Sequence, residues 1–234
     1  MGQIPIVARL KASLQASAGD VVFGMEDGTV SIFGLVFGVA ATTDNQSAVL
    51  IAGASGAVAA AVSMMAGTYL DAETSEDQAK MLDQRIAADL KNDSGAVVGR
   101  IAQRLQAAGL AQEQAAIASN FLSSQPAILK SFAMALAHPS GGSMDSALVR
   151  SLWMLVADFL AAAIPILPFA FLPVSQGRIV SAGITTLLLI ALGIGRARIG
   201  GRNILRTVVE TVAIGVAAAL AGVGIGVGIS RLAG

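Results

Sequence analysis

Five stretches of this chain are each long and apolar enough to cross a bilayer, and that limits its architecture more than any other feature. They are Val21–Thr43, Ser47–Leu70, Leu152–Val174, Ile179–Gly195 and Val208–Ile229. A spanning helix needs roughly 20 mostly apolar residues. The composition agrees: 55% of residues are apolar and only 13% are charged, against about 25% in soluble domains. The 26 glycines suit membrane helices, whose backbones approach closely where side chains are small. With no cysteine, disulfides, thiolate metal sites and cysteine nucleophiles are excluded.

The expected fold is an all-α membrane protein of five transmembrane helices, with a cytoplasmic helical insert between the second and third spans. It divides into an N-terminal amphipathic segment (1–19), transmembrane helices 1–2 (20–70), the insert (71–150) and transmembrane helices 3–5 (151–234). The first segment carries Arg9 and Lys11 without a continuous apolar run, so it reads as a surface helix rather than a cleaved leader. Within the insert, Val97, Val98, Ile101 and Leu105 recur at helical spacing, and Gly109 supplies a stop. A further helix opens at Pro126 and closes at His138, before Pro139.

Basic residues orient the spans, because cytoplasmic segments hold an excess of Lys and Arg. With the N-terminus inside, the cytoplasmic side receives every Lys and Arg except Arg178 and Arg231. The insert is longer than the loops this rule describes. Without it, the side holding Arg9, Lys11, Arg196, Arg198, Arg202 and Arg206 still exceeds the other. The C-terminus is then on the opposite side.

Acids inside the spans are the chemically informative residues. A charge at mid-bilayer costs about 2.5–3.5 kcal/mol on insertion scales, so such groups read as functional. Asp20 and Asp27 are seven residues apart, which returns them to nearly one helix face beside Gly24 and Gly28. Asp20 falls at the membrane surface and Asp27 about two turns deeper. Glu26 points elsewhere, to a rim or an interhelical position. The second span carries Gly53, Ala57, Ala60, Met64, Gly67 and Asp71 on one stripe. An antiparallel hairpin through "TTDNQS" brings Met64 towards Asp27, and Asp71 towards Asp20. Carboxylate with thioether is a donor set for first-row transition metals, whereas carboxylate alone suits Mg²⁺ or Ca²⁺.

Plainer readings stand beside these. Asp20 also fits a helix cap, and Met64 fits packing filler. Asp158, in the third span, fits either a bundle hydrogen bond or a functional role. Glu210 suits a helix N-terminus, and His138 a helix end.

At these residues the chain resembles a family. "GMEDGTVSIFGLVFGVA" is similar to the first span of the vacuolar iron transporter family, and "AGASGAVAAAVSMMAGTYLD" to its second. "AAAIPILPF" resembles its Pro-x-x-Pro segment, and "GRARIGGRNILRTVVETVAIGVAAALAGVGIG" its last connection and span. The resemblance implies a homodimer exporting Fe²⁺ or Mn²⁺ from the cytosol in exchange for protons. It places the intramembrane metal ligand at Asp27, the acid seven residues earlier at Asp20, and the methionine ligand at Met64. Two departures are expected. Thr68 stands where the family has a glutamate, with Asp71 three residues on. The insert carries Glu73, Glu76, Asp77, Asp83, Asp89, Asp93 and Glu113, and is expected to lack the family's helix-borne Glu-x-x-Glu pairs. Met134 and His138 fall near a family Met and Glu.

The sequence reading is therefore a proton-coupled exporter of Fe²⁺ and/or Mn²⁺, in a bacterial plasma membrane or a vacuolar membrane. Asp27 is the principal metal ligand and the proton-coupling residue, Met64 the selectivity ligand, and Asp20 and Asp71 the acids at the mouth. Partners are divalent metal ions, protons, the bilayer and a second copy. No cofactor and no nucleic acid is called for. The alternative is a transport-inactive membrane assembly protein of the same fold. An intramembrane aspartyl protease would need two acids sharing a proton, and no second span carries Gly-x-Gly-Asp.

Overall fold

The computed structural model describes residues 6–137 and 146–233. His138 lies outside them. The described residues form helices without a strand. Five of the helices are long and apolar enough to cross a membrane. The chain divides into two compact units, Met1–Leu70 with Met144–Gly234, and Asp71–Ser143.

In the first unit, α1 (Ile6–Ala16) is followed by α2 (Ala18–Ala40). The Trp153 indole N–H donates to Ser13 Oγ at 3.0 Å, tying α1 down. α3 (Gln46–Asn92) is one continuous helix of 47 residues, so the charged run after Leu70 continues the second span. Its apolar first half packs on α2: Val49 and Ala57 join Ile32, Val36 and Ala40 in one buried cluster. Gly53 fits against Val36, and Gly56 against Leu35 and Ile32, which is an antiparallel hairpin.

The third span differs from expectation. α7 runs from Ala147 to Ile166 rather than from Leu152 to Val174. It starts early because Ser146 Oγ accepts from the Val149 N–H. It stops because Pro168 has no N–H to continue the ladder, although Leu167 before it keeps αR dihedrals. A four-residue helix, α8 (Pro168–Phe171), follows, and Leu172 is extended before Pro173. Pro165 inside α7 leaves its carbonyl to the Ser181 hydroxyl at 2.7 Å. The next helix, α9 (Val174–Ile199), likewise exceeds Ile179–Gly195, opened by Pro173. The last, α10 (Ile204–Ala233), begins where Asn203 Oδ1 accepts from the Arg206 N–H at 3.0 Å.

α2 is the hub of this unit, packed on α7, α9 and α10. Gly34 and Gly38 face α10 of the same chain. A β-carbon on Gly34 would stand 2.9 Å from the Ala218 carbonyl oxygen, and one on Gly38 2.7 Å from that of Gly222. Gly222 and Gly226 lie in turn against the Gly34 and Gly38 carbonyls. The small-residue stripe is thus consumed inside the chain.

The second unit takes the polar half of α3 together with α4 (Ser94–Ala107), α5 (Gln112–Ser123) and α6 (Pro126–Ala137). Ile86, Val97, Ile101, Leu122, Leu129 and Ala133 form its core, and Met134 packs against it. Asp93 caps α4 by accepting from the Ala96 N–H at 2.9 Å. Gly109, at φ 103°, supplies the stop after α4 that side chains rarely tolerate. Asp83 pairs with Lys130 at 2.8 Å and Asp89 with Arg100 at 2.6 Å. Glu73 and Glu76 stand three apart on α3, so the insert does carry one Glu-x-x-Glu pair, contrary to expectation. Both are exposed.

Candidate metal site

The membrane unit contains six acids among the described residues: Asp20, Glu26, Asp27, Asp44, Asp158 and Glu210. Four of them are matched to arginines. Asp20, in the first turn of α2, meets the Arg150 guanidinium in a two-point fork, Nε to Oδ2 at 2.9 Å and Nη2 to Oδ1 at 3.2 Å. That geometry is specific to arginine with carboxylate. Asp44 lies 3.5 Å from Arg178, at the hairpin end. Glu210 accepts from Arg206, one turn earlier, at 2.9 Å, with Arg202 at 3.9 Å. Arginines, rather than the helix N-terminus expected for it, answer this carboxylate, since α10 begins six residues earlier at Ile204.

Glu26 is the most enclosed of the four. It is 8% exposed. The Arg196 Nη1 donates to both of its oxygens, at 2.9 and 3.3 Å, and the Thr211 hydroxyl donates to Oε1 at 3.1 Å. One carboxylate therefore joins α2, α9 and α10. The interhelical position expected for Glu26 is the one it holds; its partners were not foreseen. Arg196 stood in the sequence only as one of a basic run that set topology. A basic residue ending one span, set against an acid inside another, was the available signal.

Asp27 and Asp158 have no arginine. Asp27 is half-buried and makes no hydrogen bond or ion pair. It lines a cavity of about 470 Å³ with Glu26, Arg196, Arg202 and the apolar Val22 and Phe23. Asp158 is fully buried, and neither of its oxygens has a hydrogen-bond partner. α7 reaches α2 there because Gly28 and Gly24 present no side chain. A β-carbon on Gly28 would stand 2.9 Å from Asp158 Oδ1, and the Met154 sulfur lies over Gly24. Asp27 and Asp158 are near enough to interact electrostatically. Buried polar groups are nearly always satisfied, so Asp158, with two orphaned oxygens, is an exception among the buried polar side chains of the spans.

Of the four residues expected to bind metal, Asp27 lines the cavity, and Asp20 at its own helix end is held by Arg150. Met64 is half-buried on α3. It is not among the residues lining the Asp27 cavity. Asp71 is exposed and is the first residue of the other unit. Among the described residues no three Asp, Glu or His side chains gather into a metal-holding group. Met154, which sequence reading passed over, brings a thioether to the Asp27 region of α2.

The VIT family model matches residues 18–227 of the chain. A protein named vacuolar iron transporter from Centaurea cyanus is 26% identical over 201 residues, covering 84% of this chain and 81% of its own length. Vacuolar iron transporter 1 from Arabidopsis thaliana is 27% identical over 205 residues, 84% of this chain and 79% of its own. Vacuolar iron transporter 2 from Oryza sativa subsp. japonica is 26% identical over 201 residues, with coverage of 84% and 80%. These relatives carry transporter names, not enzyme names. The matched region takes in four of the five apolar helices whole, the fifth as far as Val227, and both unpaired acids, and the chain is an integral membrane protein that belongs to the VIT family.

Proposed function

We propose that this protein exports a divalent transition metal, Fe²⁺ and/or Mn²⁺, from the cytosol across its membrane in exchange for protons. The supporting observation is the pairing pattern. Four acids of the membrane unit are matched to arginine, whereas Asp27 and Asp158 are left without a counter-charge. A carboxylate in that situation can hold a metal ion or a proton but not both, which is what an exchanger requires. The names of the relatives support metal as the cargo. Asp27 is the ligand and the coupling residue in this reading, and Met64 completes the donor set. Asp71 attracts ions at the mouth, and Asp20 joins it only by giving up Arg150. The protein works as a homodimer in a bacterial plasma or vacuolar membrane.

Proteoliposomes loaded with a pH dye test this directly. Fe²⁺ or Mn²⁺ is expected to drive proton movement in the opposite direction. Metal uptake without proton movement would remove exchange, and no uptake would leave a membrane assembly protein of the same fold.

Met64 should set metal choice. Its thioether is soft, and Met64→Leu keeps the volume while removing the donor. Transport of Fe²⁺, Co²⁺ and Zn²⁺ should fall relative to Mn²⁺, the hardest of the four. An unchanged ranking in a competition assay would make Met64 a packing residue.

The insert lies in the cytoplasm in this reading. Ser94 and Ser123 are both exposed, and the chain has no cysteine of its own. Cysteines placed there should react with an impermeant thiol reagent only from the cytoplasmic side. Labelling from the other side would invert the topology.

A further inference from the structure

The cavity beside Asp27 contains a second carboxylate that is already occupied. Glu26 and Asp27 are consecutive on α2, and both line that cavity. Arg196 holds Glu26 from α9, and Thr211 holds it from α10. We propose that Glu26 is a latched second ligand of the Asp27 cation site: a divalent cation arriving at Asp27 displaces Arg196 and takes Glu26 in its place. This inference rests on the transport reading of Asp27.

Charge balance favours the exchange. With Asp27 and Glu26 ionised, Asp158 neutral, Arg202 balanced by Glu210 and Arg196 in place, the site carries one net negative charge. A divalent cation added on top would leave one net positive charge in an apolar setting. A divalent cation that replaces Arg196 leaves the site neutral, the state that costs least in low dielectric.

The two partners also differ in their freedom to leave. The Glu26 side chain is only 10% exposed, whereas that of Arg196 is 39% exposed at the end of its helix. When the pair separates, the guanidinium can extend to water or lipid phosphate on its flexible stem. The carboxylate stays and must find a cation from the cavity side. Because Arg196 belongs to α9, its release also removes the ion pair that joins α2 to α9. Loading the site and loosening the bundle are then one event.

Mn²⁺ binding to the full-length chain in nanodiscs, followed by the loss of the free-ion EPR signal, tests this. The quantity compared is the component of binding that Asp27→Asn removes. Arg196→Gln should tighten that component at least about tenfold, because Glu26 is released to the ion. Glu26→Gln should weaken it by about the same factor. In the Glu26→Gln/Arg196→Gln double variant the gain should vanish. An undiminished gain in the double variant would mean that Arg196 acts only through its field, and no gain in the single variant would likewise overturn the latch. If Arg196→Gln does not fold, Arg196→Lys keeps the charge on a shorter side chain that reaches Glu26 from α9 less closely. It should tighten binding severalfold, and parent-like binding would overturn the proposal. If Asp27→Asn leaves all Mn²⁺ binding intact, the transport reading itself fails, which is a different result from a failed latch.

Discussion

Asp27→Asn is expected to abolish metal-coupled proton flux while leaving the protein folded. The amide keeps the size of the carboxyl and part of its hydrogen bonding. It has no charge to bind a divalent ion and no proton to exchange. Removing an outer partner of a metal ligand typically costs 10–100-fold. Loss of the ligand itself should cost at least about a hundredfold in transport. The fold should survive because Asp27 makes no ion pair or hydrogen bond to break, and a neutral amide is cheaper to bury than a carboxylate. Asp20→Asn provides the contrast, since it breaks the fork with Arg150. In the parent, acid on the cytosolic face should compete with metal for Asp27 and slow its uptake, and acid on the far face should discharge it. Flux measured across a pH series checks both directions. Metal transport by Asp27→Asn with the parent's pH dependence would move coupling elsewhere, and Asp158, buried with two orphaned oxygens, is the next residue to replace.

Gly38→Leu should prevent folding altogether. Overpacking a core usually costs about 1–3 kcal/mol, because neighbouring side chains can shift. At Gly38 nothing can shift cheaply. The three nearest atoms to a new β-carbon are the carbonyl oxygen, carbonyl carbon and α-carbon of Gly222, at 2.7, 3.0 and 3.3 Å. All belong to the backbone of α10, so the two helices would have to separate along a shared stripe. The cost should exceed the usual range and appear as loss of monodisperse protein in detergent. Gly228→Leu, on α10 with nothing within 4 Å of the new β-carbon, should purify and melt like the parent. A parent-like melting temperature for Gly38→Leu would mean that α2 and α10 do not cross this closely. Because this stripe is used within the chain, it is not open to a second copy.

The helices and the acids inside them were legible in the sequence, for a local reason. A bilayer offers the backbone no hydrogen bonds, so any apolar run of sufficient length must close its own ladder as a helix. Hydropathy alone therefore located five spans. The proline and cap positions that fix their ends were read less well, as in α7, where Pro168 stopped a span expected to reach Val174. Asp27 stood out because a charge in such a run is expensive wherever the other helices lie.

Which acids are answered was decided by the tertiary structure alone. Asp20 meets an arginine 130 residues away, and Glu26 one 170 residues away. Both carboxylates share a helix with Asp27, and their depth and face on it do not say which of the three meets an arginine. Only the packing of α7, α9 and α10 around α2 brings Arg150 and Arg196 to the first two and leaves Asp27 facing an open cavity. The same packing turned Gly34 and Gly38 inward. A small residue permits close approach by any helix, and its own sequence does not say which one arrives.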